Sequence, residues 1–133
     1  MPTKLLLTLT ALLLGLAGLV ALFAPEVLLS PTTLTAPGNS LLPALMQLLG
    51  ALYCGFAFVN FTARDSALGG IYGRPISFGN FVHFTIGALA LVKVAASGGA
   101  TPLVIGALVV YAALAVIFGR LLFVARGLPA KRG

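Results

Sequence analysis

Asn80 and His83 stand three residues apart in an apolar stretch, so on a helix they share one face. A carboxamide and an imidazole placed together can hold the polar head of a ligand through hydrogen bonds. A neutral imidazole nitrogen can also ligate haem iron or chlorophyll magnesium. Asn60 lies near the end of the preceding apolar stretch, and the segment between the two adds Arg64, Asp65, Tyr72 and Arg74. Arg120 stands near the end of the last apolar stretch. The three arginines would draw anionic groups toward a pocket containing Asn60, Asn80, His83 and Tyr72. The bland alternative is that these side chains bond one another and fix a helical hairpin.

Other chemistry finds little material. His83 is the sole histidine, so a bis-histidine haem would need a second subunit, and His83 as an axial ligand is a minor alternative. One cysteine, Cys54, and two carboxylates, Glu26 and Asp65, do not supply a metal cluster. No cofactor or metal is expected. No serine or cysteine pairs with His83 in a nucleophile motif, and the two carboxylates fall on different sides of the topology below, so the chain reads as a non-enzyme. The run Gly69-Gly70-Ile71-Tyr72-Gly73-Arg74-Pro75 could let backbone N–H groups approach an anion. It lacks the lysine-serine end of a phosphate loop, and a tight structural turn explains it more simply.

The elements that must position these residues follow from composition. Of 133 residues, 60% are hydrophobic and 8% charged, with a mean hydropathy of +1.15. Soluble domains carry about 25% charged residues, and a chain this small could not hide so much apolar surface from water. Lipid must be the solvent. The expected fold is all-α, an integral membrane four-helix bundle forming a single domain over residues 1–133. Its spans are expected at about 5–24, 42–62, 78–96 and 102–124. An outer loop covers 25–41, where Pro25 stops the first helix and Glu26 to Leu29 form a short interfacial turn. An inner loop covers 63–77, with Ser77 as N-cap of the third helix. Each span suffices for a hydrocarbon core of about 30 Å.

Orientation follows from the basic residues, which favour the cytoplasmic side of short loops. With both termini inside, Lys4, Arg64, Arg74, Arg120, Arg126, Lys131 and Arg132 are cytoplasmic and Lys93 alone is outside. The net charge of +6 therefore reads as topology and attraction to anionic lipid, not as a nucleic-acid face. The polar residues collect near the inner interface, with only Gln47, Tyr53, Thr85 and Lys93 in the outer half. A channel or pump needs polar groups through the whole thickness, and conduction is not expected.

Small residues four apart mark faces where helix backbones could approach: Ala11 and Gly15, Ala51 and Gly55, and Ala115 with Gly119, while the third span repeats Gly79, His83 and Gly87 at intervals of four. Gly50, Cys54 and Ala57 make an adjoining stripe on the second span. The order of parts resembles small bacterial four-span proteins of the DoxX-like type. The features that carry the likeness are Phe23-Ala24-Pro25-Glu26 after the first span, the Arg64 to Gly70 loop, and a fourth span ending in Gly119-Arg120. The resemblance covers most of the chain; it implies a four-helix bundle and supplies no catalytic residues.

Two functions fit. The first is a non-enzymatic accessory or scaffold subunit of a membrane complex, partnered by lipids and by other membrane subunits or copies of itself. The alternative is a binder or carrier of a lipid, quinone or other lipophilic ligand, through the inner-leaflet polar pocket. Ala, Leu and Arg usage points to a bacterial source, and so to the inner (cytoplasmic) membrane.

Overall fold

Pro25 brings no N–H to a helical hydrogen bond, and the first helix stops just before it: α1 spans Thr3–Phe23. Ala24 leaves the helix at φ −139°, and a single turn, α2, follows at Pro25–Leu28. The computed structural model describes residues 3–29, 41–65 and 73–124. The remaining long helices are α3 at Leu41–Ala63, α4 at Gly73–Val94 and α5 at Pro102–Val124. A wide helical turn at Ala95–Gly99 follows α4. All regular structure among the described residues is helical, and α1, α3, α4 and α5 are long and apolar enough to cross a membrane. Each turns large apolar side chains outward: Leu16 is 64% exposed, Leu48 68%, Leu89 65% and Val109 62%. A monomer in water rarely shows so much contiguous apolar surface.

The chain divides into two compact units, Met1–Asp65 and Ser66–Gly133. In the first, α1 buries a stripe of Leu7, Thr10, Ala11, Leu14, Gly18 and Ala21, the three-and-four spacing of one helix face. On α3 the buried residues are Gly50, Ala57, Asn60 and Ala63. The two backbones meet at Gly18 and Gly50. A Cβ on Gly18 would lie 2.8 Å from the Gly50 carbonyl oxygen and 2.8 Å from Cys54 Sγ. A Cβ on Gly50 would lie 2.7 Å from the Gly18 carbonyl oxygen. The contact stripe on α3 is therefore Gly50, Cys54 and Ala57. Ala51 and Gly55 face outward, and a Cβ on Gly55 would meet nothing within 4 Å.

Lys4 Nζ lies 2.7 Å from Asp65 Oδ1, tying the start of α1 to the end of α3 and making the pair antiparallel. The Lys4 hydrogen bond holds the Asp65 carboxyl below its ordinary value of 3.8, with Arg64 adding to the effect. A carboxylate depressed in the folded state contributes stability above its unfolded pKa and loses it as pH falls through the folded value. This tie is thus complete at neutral pH and is expected to loosen only below pH 3.8. Asp65→Asn should flatten that part of the acid-unfolding curve; an unchanged acid limb in the variant would contradict the pairing.

In the second unit α4 spans Gly73–Val94 and so includes residues ahead of the expected start near Phe78. Pro75 is no obstacle, because the N–H groups of a first helical turn have no intrahelical partner to lose. Ser77, expected as the N-cap, sits inside the helix, and its hydroxyl donates to the Gly73 carbonyl at 3.0 Å. Gly98 at φ 94° makes the reversal after α4, a backbone state in which a side chain would be strained. Thr101 then caps α5, its Oγ1 accepting from the Val104 N–H at 3.3 Å, and Pro102 opens the helix. The pair is held by rings. Phe84 lies edge-on to Tyr111 at 5.1 Å and stacked on Phe118 at 6.0 Å, and Phe84 and Phe118 are both fully buried. Gly87 leaves the space that the Tyr111 ring occupies.

Candidate functional site

The residues expected to form one polar pocket are distributed over both units. Asn60 and Arg64 belong to the first; Arg74, Asn80, His83 and Arg120 belong to the second. Tyr72 lies outside the described residues.

Asn60 and Asn80 are both fully buried. Each turns its carboxamide back along its own helix: Asn60 Nδ2 donates to the Phe56 carbonyl and Asn80 Nδ2 to the Ile76 carbonyl, both at 2.9 Å. These bonds satisfy a polar group that would be costly in an apolar medium. Arg64 also turns back. Its Nη1 donates to the Phe61 carbonyl at 2.8 Å, its guanidinium lies 3.7 Å above the Phe61 ring, and its Nε is 3.6 Å from Asp65 Oδ2. This closes the end of α3, where the helix presents carbonyls without helical partners. Arg74 is exposed in the first turn of α4.

His83 enters a ring cluster, with centroids 5.0 Å from Phe84 and 5.6 Å from Tyr111. Tyr111 carried no signal in the sequence beyond being an aromatic within an apolar span. Its role emerges only when antiparallel pairing sets it opposite Gly87. Among the described residues no group of three or more His, Cys, Asp or Glu comes together to hold a metal ion.

A concavity does exist within the second unit, on a different face of α4. A groove of about 470 Å³ is lined by Phe81, Thr85, Ala115, Val116, Gly119, Arg120 and Phe123. Neither Asn80 nor His83 lines it. Phe81 and Phe123 meet edge-to-face at 6.2 Å and 89°, forming one wall. Gly119 lets the Phe81 ring approach, since a Cβ there would lie 3.0 Å from Phe81 Cε2. Ala115, one turn away, keeps the floor low. The volume falls in the range of about 300–1,000 Å³ usual for small-molecule sites.

The surface of the groove is almost wholly apolar, and two of its lining residues, Thr85 and Arg120, carry polar groups. Thr85 Oγ1 is buried and finds no hydrogen-bond partner among the described residues. An unsatisfied hydroxyl of this kind costs about 1–3 kcal/mol. Arg120 is exposed and has no ion pair among the described residues. It stands four residues from the end of α5, roughly 6 Å along the axis. The groove can thus take an apolar chain along its rings and an anion at its Arg120 rim. Phe81 with Thr85, and Ala115 with Gly119, are each four apart in the sequence. That spacing marks two stripes without showing that they face each other.

Four helices of this length and apolarity are compatible with an integral membrane protein. No family model, curated protein or solved structure matches the chain.

Proposed function

We propose that this is a non-enzymatic four-span protein of a bacterial inner membrane, with both termini in the cytoplasm, that holds a lipophilic molecule in the groove between α4 and α5. The observation that carries the reading is the groove itself: an aromatic wall, a floor of small side chains, and a cation at one rim. This reading uses Phe81, Ala115 and Arg120, of which Arg120 is among the residues singled out by the sequence. The test is native mass spectrometry of the chain extracted gently from its own membrane. The wild type should keep a lipophilic adduct. Val116→Phe, at a position 61% exposed, should lose most of it while melting at an unchanged temperature. Equal retention in the variant would remove the groove as a site.

We also propose a subunit contact, because one observation favours it. Ala51 and Gly55 leave an open small-residue face on α3, flanked by exposed Leu48, Leu52 and Phe58. Close backbone approach at such faces drives helix association in lipid. Gly55→Leu is expected to release a stoichiometric partner, or a second copy of this chain, from the gently purified protein. A wild-type chain that purifies alone as a monomer would contradict it.

A further inference from the structure

We infer that the occupant of the α4–α5 groove is an anionic phospholipid of the surrounding bilayer, its phosphate on Arg120 and an acyl chain against Phe81 and Phe123; this rests on the proposal that the groove holds a lipophile. Charge complementarity selects the headgroup. Six of the eight basic residues lie in Ser66–Gly133, whereas both carboxylate side chains, Glu26 and Asp65, lie in Met1–Asp65. Arg120 therefore meets no Asp or Glu side chain of its own unit that would compete with a lipid phosphate for its guanidinium. A guanidinium offers a planar fork of donors that matches phosphate oxygens two at a time.

Depth agrees with this assignment. Thr85 is four residues further along α4 than Phe81, about 6 Å deeper in the groove. A phospholipid lying with its phosphate at the Arg120 rim carries its ester carbonyls below that level, and its chains below them. Threonine populates two χ1 rotamers in helices, and exchange between them swaps methyl for hydroxyl on the groove floor. The Thr85 hydroxyl, without a partner among the described residues, then has an ester oxygen to donate to. The rings and Ala115 leave the apolar remainder of the groove for the chain.

The experiment uses the full chain in nanodiscs of equal phosphatidylglycerol and phosphatidylcholine, with bound lipid counted by native mass spectrometry. The wild type should retain phosphatidylglycerol over phosphatidylcholine by about tenfold, as expected for a charge-assisted bond at one site. Arg120→Gln should bring the ratio to about one while lipid of both kinds is still retained, and Arg120→Lys should keep part of the preference. Thr85→Val should reduce total retention without changing the ratio. A tenfold preference that survives Arg120→Gln overturns the headgroup assignment, because other basic groups would then be responsible. Val116→Phe separates the two levels: if it leaves total retention intact, the lipophile site itself fails; if it empties the groove while Arg120→Gln keeps its preference, only the headgroup assignment fails.

Discussion

Alanine at Gly18 is expected to destabilise the α1–α3 pair by about 1–3 kcal/mol, the usual cost of forcing a methyl group into a closed contact. The added carbon would sit 2.8 Å from the Gly50 carbonyl oxygen, and a backbone atom cannot swing aside as a side chain can. Gly50→Ala should cost a similar amount, for the reciprocal reason. Gly15→Ala is the control. Its Cβ would rest 3.5 Å from the Ala57 Cβ, an ordinary contact, and alanine is favoured over glycine in a helix by about 0.5–1 kcal/mol. Equilibrium unfolding in mixed micelles should rank Gly15→Ala at or above the wild type, with Gly18→Ala and Gly50→Ala well below it. Equal stability in all three would mean the helices do not cross at Gly18 and Gly50.

The second large effect is expected at Phe84. In a water-soluble core, Phe→Ala costs about 3–5 kcal/mol. Lipid tails are as apolar as a bundle interior, so for a chain that spans a membrane the part of that cost arising from transfer out of water is absent. What remains is the lost dispersion contact with Tyr111 and Phe118 and the cavity left behind, about 2–3 kcal/mol. Thermal melting of Phe84→Ala and Phe84→Leu in the same detergent measures it. Leucine should recover part of the loss by filling some of the space. A Phe84→Ala protein that melts like the wild type would contradict the stacked arrangement of Phe84 and Phe118.

The elements were largely legible because prolines and charged residues delimit long apolar runs. Pro25 marks the end of α1, and Thr101-Pro102 the start of α5. The start of α4 was not legible, since Gly73-Arg74-Pro75 reads as loop by composition, although proline in a first turn costs no hydrogen bond. Packing faces were harder still. In water, the contrast between polar and apolar faces shows which side of a helix is buried. In lipid, exposed Leu48 and Phe58 are as apolar as the buried face. The choice between Ala51 with Gly55 and Gly50 with Cys54 and Ala57 is a rotation of about 100°, and hydrophobicity cannot make it. The Gly18–Gly50 crossing needed coordinates.

The polar residues told a similar story. Asn60 and Asn80 were conspicuous in the sequence because carboxamides are costly at membrane depth. Helix periodicity alone does not reveal that both donate to carbonyls one turn back. Arg120 was legible as a candidate. Thr85 was visible only as an isolated hydroxyl, because its membership of the groove depends on the pairing of α4 with α5.

The proposed topology has four spans, with both chain ends and the groove's Arg120 rim on the cytoplasmic side. Single cysteines at Asp65 and Ser97, each in a Cys54→Ser background, flank α4 and test this in intact cells with a membrane-impermeant thiol reagent. Ser97→Cys should be labelled from outside, while Asp65→Cys should react only after the membrane is opened. Labelling of both positions from the same side would contradict the topology, and with it the cytoplasmic placement of Arg120.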